Sequence, residues 1–454
     1  MGMCIERWDL HKRFSLKVLT WCGTSPKPLL FGIMGATFFI SMFISNTATS
    51  LMMVVNGVSI CASIQENLDA AHKEESKRFG RAVMLGIAYA ANLGGMASLI
   101  GTGPNLAFAR QLGILFPDSP TFTFADWWFF GLPIGLVFFF ITWGYLCMVY
   151  LRNFESAGTI DKNIFVDQYA AMGPWTLEQR IVAGLFTFLS LGWVFRADLN
   201  FSSFVIKGWN NAFPEPGAIT DTTLGMFVGF LLFICPARVA SLPLDNRFSV
   251  KADETSDGKK IEAGKDRKAV KEADNWTTLL NWHVANQMPY DILFLLGGGF
   301  ALAVAFVDSG LSSFLGDKLA GMGVSTSTLL FIMVFFIIWL TELTSNTSTS
   351  NIMIPIAGSL AVAMRVSPYT FMIPATMACS CAFFLPIATP PNMVVYSTGM
   401  IELREMNKAG AFLNIICAIL LWIAAYSIIP AVLGVGANDF PSWATVVPDD
   451  ETAA

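Results

Sequence analysis

Between Pro28 and Gln65 the chain carries no Asp, Glu, Lys, Arg or His. A run of that length exceeds what a soluble core helix needs and is suited to a hydrocarbon layer about 30 Å thick. Comparable runs occupy 82–109, 320–364, where Glu342 is the one acid, and 366–401. Backbone groups in lipid must pair within their own segment, and no run alternates as a barrel strand does, so the segments are helices. The expected fold class is all-α, polytopic and membrane-embedded, in keeping with 54% hydrophobic and 13% charged residues.

Inside the first run stands Ser45-Asn46-Thr47-Ala48-Thr49-Ser50, and Ser345-Asn346-Thr347-Ser348-Thr349-Ser350 repeats it 300 residues later. At the same offset Leu29-Leu30-Phe31 matches Leu329-Leu330-Phe331, and Ser41 matches Thr341. Each copy is followed by an apolar run broken at a Pro-Asn pair, Thr102-Gly103-Pro104-Asn105 and Thr389-Pro390-Pro391-Asn392. Spans at 82–109, 125–151, 180–196, 222–240 and 290–308 separate the copies. Their number is odd, so the second copy enters from the opposite face and the repeats are inverted. Internal repeats with broken segments in corresponding places point to a transport site.

The domain reading follows from composition. Residues 1–23 mix Trp8, Phe14 and Trp21 with Arg7, Lys12, Arg13 and Lys17, as an amphipathic helix in the membrane interface does. Residues 24–151 and 322–433 hold the two repeats, 152–321 lie between them with a charged loop at 242–288, and 434–454 form an acidic tail. With the opening helix inside, the loops at 66–81, 152–178, 242–288 and 402–408 are also inside and carry nearly all the loop Lys and Arg. The tail is then extracellular.

The paired clusters have a chemical logic. Where a helix stops, its last carbonyls can ligate a cation, and the helix that restarts offers free N–H groups to an anion. Ser, Thr and Asn add oxygens and donors without fixed charge. No Lys or Arg lies between Pro28 and Gln65 or between Ala320 and Met364. An anion held between the clusters therefore needs bound cations to offset its charge, and sodium fits a cage of hydroxyls and carbonyls. Arg110, five residues past Asn105, is the one nearby source of positive field. Two readings of each cluster stay open: the tip of a half-depth hairpin, or a polar turn joining full spans of roughly 26 Å. Glu342 is equally open, as a functional acid at membrane depth or as a hydrogen-bond partner for a helix end.

Enzymatic readings fail on the residues. His11, His72 and His283 are the only histidines, all in or beside the inner loops, so no Ser–His dyad or histidine-ligated metal is available in the membrane. No phosphate-binding GxxxxGK[ST] loop occurs. The eight cysteines are scattered through apolar runs and read as packing thiols.

Together Glu6-Arg-Trp-Asp-Leu-His-Lys-Arg13, the paired SNT clusters, Gly101-Thr-Gly-Pro-Asn105, Leu295-Leu-Gly-Gly-Gly299 and Ala388-Thr-Pro-Pro-Asn392 resemble the divalent anion/sodium symporter family. That family contains sodium-coupled di- and tricarboxylate transporters and sodium-sulfate transporters. The resemblance implies that both SNT clusters are tips of re-entrant helical hairpins. It implies one sodium near Ser41, Ser45, Asn46 and Gly101 and a second near Thr341, Asn346 and Ala388. It places the substrate carboxylates against Ser45, Asn46, Thr47 and Thr102 from one side and Ser345, Asn346, Thr347, Thr389 and Pro390 from the other. It further implies a homodimer in the plasma membrane, with 24–151 and 322–433 as a transport domain moving by an elevator mechanism against a scaffold of 152–321. The partners expected are lipid and a small di- or tricarboxylate anion, with no nucleic acid. Relatives carry about four further helices ahead of the Glu6–Arg13 motif, which this sequence begins without. Sodium-sulfate symport, sodium-independent dicarboxylate exchange and a truncated, transport-dead membrane protein are the competing readings.

Overall fold

The structure is a computed structural model and describes residues 1–23, 25–67, 73–152, 163–201, 204–238, 241–242, 276–288, 290–311, 314, 318, 321 and 323–444. In chain order its helices begin with α1 (Gly2–Arg7), α2 (Leu10–Trp21), α3 (Pro26–Ser41), α4 (Asn46–Asn67), α5 (Lys73–Ala97) and α6 (Gly103–Leu115). They continue with α7 (Phe124–Tyr150), α8 (Asn163–Ala171), α9 (Leu177–Val194), α10 (Asp221–Ile234), α11 (Trp282–Ala285) and α12 (Tyr290–Asp308). The last are α13 (Thr326–Thr341), α14 (Asn346–Ala363), α15 (Pro368–Cys379), α16 (Pro390–Tyr396), α17 (Leu403–Tyr426) and α18 (Ile428–Leu433). Two short antiparallel ribbons, Leu199–Phe201 with Phe204–Ile206 and Pro236–Arg238 with Trp276–Thr278, depart from the all-α expectation. Most of the charged loop at 242–288 and the end of the acidic tail lie outside the described residues.

The chain divides into two compact units, Met1–Trp21 with Lys162–Pro289, and Cys22–Asp161 with Tyr290–Ala454. In the first unit the single interfacial helix expected over 1–23 is split into α1 and α2, with Asp9 in the left-handed region at φ 53°. Asp tolerates that conformation better than most residues. The split turns basic and aromatic side chains inward. Trp8 Nε1 donates to the Leu279 carbonyl at 3.0 Å, and Gln179 Nε2 donates to the Trp8 carbonyl at 3.0 Å. Arg13 is buried: its two terminal nitrogens donate to the carbonyls of Gly173 at 2.9 Å, Met172 at 3.1 Å and Pro174 at 3.4 Å. The same guanidinium lies 5.4 Å from the ring centroids of both Tyr169 and Trp175. Part of the basic opening motif thus serves as an internal clamp, which suits a planar, weakly hydrated guanidinium.

The second unit holds both SNT clusters. One order of parts occurs twice: a helix ending at the cluster, a helix starting from it, a third helix, a break, and a restarted helix. These are α3, α4, α5 and α6 in the first instance and α13, α14, α15 and α16 in the second. The arms α3 and α13 are apolar and 16 residues each, about 24 Å. Among the described residues two stretches, α7 and Leu403–Leu433, are long and apolar enough to cross a membrane. Helix α5 is the centre of the packing, with residues 82–97 almost entirely buried. A Cβ at Gly94 would overlap the Phe38 carbonyl, so α3 and α5 touch backbone to backbone.

Helix α12 belongs to this unit, so the division falls at Pro289 rather than at the expected residue 321. Asn351 Nδ2, on α14, donates to the Leu295 carbonyl at 3.0 Å, and a Cβ at Gly299 would overlap the Asn351 side chain. This explains one glycine of the Gly297–Gly299 run: Gly299 admits Asn351, while Gly297 and Gly298 face open space. Gly299→Ala is expected to lower stability by about 1–3 kcal/mol through overpacking, whereas Gly297→Ala is expected to be tolerated. Thermal melting of the two variants in detergent checks the contrast.

Candidate functional site

Helix α3 ends at Ser41 and α4 starts at Asn46, so the first SNT cluster occupies a turn and the first residues of a new helix. Ser41 Oγ lies 2.7 Å from Asn46 Oδ1 and 2.8 Å from the Ala91 carbonyl. At the second cluster Thr341 Oγ1 lies 2.8 Å from Asn346 Oδ1 and 2.8 Å from the Cys379 carbonyl. A hydroxyl owns one proton, and here it faces two acceptors. With the amide oxygens of Asn46 and Asn346 assigned toward the hydroxyls, each cluster gathers three oxygens with too few protons to join them all. Such a surplus of lone pairs, free of fixed charge, is what an oxygen-ligated hard cation requires.

Ser45 and Ser345 are exposed, while Asn46, Thr47, Asn346 and Thr347 are half-buried. The two clusters thus present the same graded surface. Ser45 Oγ also accepts from the Ala48 N–H at 3.2 Å.

The breaks explain their own motifs. Asn105 is buried and its Nδ2 points back to the end of α5, donating to the carbonyls of Gly95 at 3.2 Å, Met96 at 3.3 Å and Ser98 at 2.7 Å. Asn392 Nδ2 does the same for the second break, reaching the carbonyls of Ala382 at 3.1 Å and Leu385 at 3.0 Å. Carbonyls released where a helix stops need a partner when buried. The Asn of each Pro-Asn pair supplies it, which makes these residues braces.

Glycines close the assembly. A Cβ at Gly95 would overlap Asn46 Oδ1, and one at Gly101 would overlap the Gly95 carbonyl, so the first cluster sits directly on the first break. A Cβ at Gly103 would lie 2.6 Å from Thr347 Oγ1, so the first break also meets the second cluster. Asn92, on α5, donates to the Ala382 carbonyl at 3.3 Å and to Thr389 Oγ1 at 3.2 Å, which ties in the second break. Ser41, Asn46, Gly101, Thr347 and Thr389 are thereby linked through a few side chains. Ala388 and Pro390 flank Thr389, and no hydrogen bond among the described residues joins either to the second cluster. Arg110 stands on the exposed face of α6.

Glu342 takes the structural one of its two readings. The carboxylate is buried, and Oε1 accepts from Phe383 N at 2.8 Å, Phe384 N at 2.9 Å and Asn414 Nδ2 at 2.7 Å. Oε2 accepts from Leu385 N at 2.9 Å. The acid at membrane depth holds the second break in shape. Sequence reasoning also missed the Ala91 and Cys379 carbonyls, because a main-chain oxygen leaves no mark on residue identity. It missed Asn92 as well, and it marked Asn105 and Asn392 as members of the breaks without giving them a role, though a buried amide beside a helix break is a signal that can be searched for.

Paired helix breaks meeting around uncharged oxygens define an integral, multi-pass membrane protein of the secondary-transporter class. The sodium:sulfate symporter transmembrane region family matches residues 1–434, and the chain belongs to that family. The sodium-dependent dicarboxylate transporter SdcS of Staphylococcus saprophyticus is 31% identical over 437 residues, covering 96% of this chain and 76% of the relative. The SdcS protein of Staphylococcus aureus strain MRSA252 is 32% identical over 440 residues with the same coverage. Among solved structures, the YdaH transporter of Alcanivorax borkumensis, described as having an unusual topology, aligns with a TM-score of 0.51 at 12% identity. That alignment covers 95% of this chain and 83% of YdaH, a likeness of fold.

Proposed function

We propose that this chain is a sodium-coupled symporter of di- and tricarboxylates of the succinate, malate and citrate class. The observation that carries the proposal is the proton-poor oxygen triad built at each SNT cluster, Ser41–Asn46–Ala91 and Thr341–Asn346–Cys379. One sodium ion takes the first triad with Ser45 and Gly101; the other takes the second with Ala388. Their charge offsets an anion received by Ser45, Asn46, Thr47 and Thr102 on one side and Ser345, Asn346, Thr347, Thr389 and Pro390 on the other. The family supports the ion, and the SdcS relatives support the ion and a dicarboxylate anion.

The first arms α3 and α13, 16 residues each, favour re-entrant hairpins over full spans, because about 24 Å falls short of a hydrocarbon core of about 30 Å; the return arms α4 and α14 are longer, 22 and 18 residues. With the odd number of spans between the copies, the two hairpins enter from opposite faces. The unit carrying both then moves as the elevator of a plasma-membrane homodimer, and it takes α12 with it.

Uptake of radiolabelled succinate into proteoliposomes is expected to fall to background when external sodium is replaced by choline. Uptake that persists in choline sinks sodium coupling. Excess unlabelled sulfate is expected to compete poorly, and strong competition reassigns the cargo to sulfate.

A further inference from the structure

The hydrogen bonds around the second break fix the direction of one hydroxyl that the motifs alone leave undirected. Asn392 Nδ2 donates to two carbonyls, Ala382 and Leu385, at 3.1 and 3.0 Å. Its amide orientation is thereby settled, since the reverse would set oxygen against oxygen. Asn392 Oδ1 consequently faces Asn92, whose Nδ2 lies 3.5 Å away. Asn92 is 1% exposed and meets two groups that can only accept, the Ala382 carbonyl and Asn392 Oδ1, beside the Thr389 hydroxyl. It must therefore present its amide nitrogen, and Thr389 Oγ1 accepts at 3.2 Å. The Thr389 hydroxyl keeps its own proton. It does not cap α16, and no hydrogen bond among the described residues takes that proton.

The register of α5 makes this arrangement firm. Tyr89, Asn92 and Met96 share one face of the helix at spacings of three and four, and all three meet the second break. Tyr89 OH donates to the Phe383 carbonyl at 3.1 Å, and Cys381 Sγ lies 3.9 Å from Met96 Sδ. The Ala91 carbonyl and Gly95 meet the first cluster instead. The equivalent hydroxyl of Thr102 is half-buried and caps no helix N–H.

We infer that Asn92 is a positioning residue for substrate: by donating to Thr389 it turns the Thr389 hydroxyl proton toward the bound carboxylate. The inference rests on the transport reading above and adds to it a residue outside both SNT clusters and both Pro-Asn motifs. Asn92→Leu keeps the side-chain volume and removes the donor. The Ala382 carbonyl then keeps only the Asn392 donor, so the Thr389 proton is free to turn to its open lone pair and is lost to the anion. Asn92→Asp goes further, because its carboxylate draws the proton inward.

The test is succinate uptake in proteoliposomes across a concentration series. KM is expected to rise about tenfold in Asn92→Leu, the scale of one hydrogen bond to a charged group, and further in Asn92→Asp. The maximal rate of Asn92→Leu is expected to stay within about a factor of two, since carboxylate binding, not the motion, is altered. In a Thr389→Val background Asn92→Leu is expected to add nothing, as a shared pathway requires. Succinate-dependent thermal stabilisation in sodium gives the same cycle where a variant no longer transports. Equal KM in Asn92→Leu and the native protein, or additive effects in the cycle, overturns the inference and leaves the transport reading intact. Absence of sodium-driven uptake by the native protein overturns the reading and the inference together.

Discussion

Asn46→Ala and Asn346→Ala are each expected to bring sodium-driven succinate uptake close to background while the purified protein stays folded. The amides do work that no neighbouring group can take over. Each Oδ1 completes a triad with a hydroxyl and a main-chain carbonyl at 2.7–2.8 Å. Each residue also opens a new helix, and is followed by Thr47 or Thr347 on the half-buried surface of the cluster. On the proposed reading, removing the amide takes one ligand from the cation and one donor from the anion. Hydrogen bonds to charged groups contribute about 1.5–3 kcal/mol each, so losing one from the anion alone costs roughly one to two orders of magnitude in affinity. The proposed sodium coupling compounds the expected loss, because the anion would then be held only while the cation is present. Folding is spared, since the amides are half-buried at the surface of their unit. A graded series sharpens the expectation: Thr341→Ser keeps the hydroxyl at the second triad and is expected to retain uptake, while Thr341→Ala is expected to lose it. Sodium titrations of succinate uptake for the four variants provide the check. Normal half-saturating sodium in Asn46→Ala and Asn346→Ala would remove the triads from the ion site.

The sequence made the clusters visible because small polar residues stand out in long apolar runs, and their repetition in register made the signal strong. The breaks were visible for a related reason: proline and glycine interrupt a helix wherever they fall. What stayed hidden was relational. That Ser41 faces the Ala91 carbonyl depends on α5 lying against α3 at Gly94, and the apolar pattern of α5 is equally compatible with other neighbours. Asn92 reads in sequence as one more polar residue in a helix, and its partners lie 290 or more positions away. The opening motif misled in a different way. Arg7 and Arg13 belong to the composition of an interfacial helix, yet both are buried, because carbonyls from distant segments receive them. The boundary at Pro289 was equally illegible, since α12 differs little in hydropathy from its neighbours and is held by Asn351 and Gly299.

Glu342 supplies the other large effect, and it separates a brace from a carrier of cargo. Its carboxylate accepts four hydrogen bonds, from three successive backbone N–H groups and Asn414. Glu342→Ala leaves those donors buried and unmatched, at about 1–3 kcal/mol for each group. Glu342→Gln is no milder than its shape implies, because the new amide turns an N–H₂ toward N–H donors whichever way it faces. Both substitutions are expected to lower the thermal midpoint by well over ten degrees in detergent and to raise hydrogen exchange at the amides of 383–385. Uptake is then lost because Thr389 and Asn392 no longer hold their places. Asn414→Ala withdraws one donor and leaves the carboxylate three partners, so its effect is expected to be the smallest of the set. An acid that instead bound a transported ion would behave differently. Glu342→Gln would then abolish uptake with an unchanged thermal midpoint and unchanged protection at 383–385, and that pattern would return the residue to the list of ion ligands.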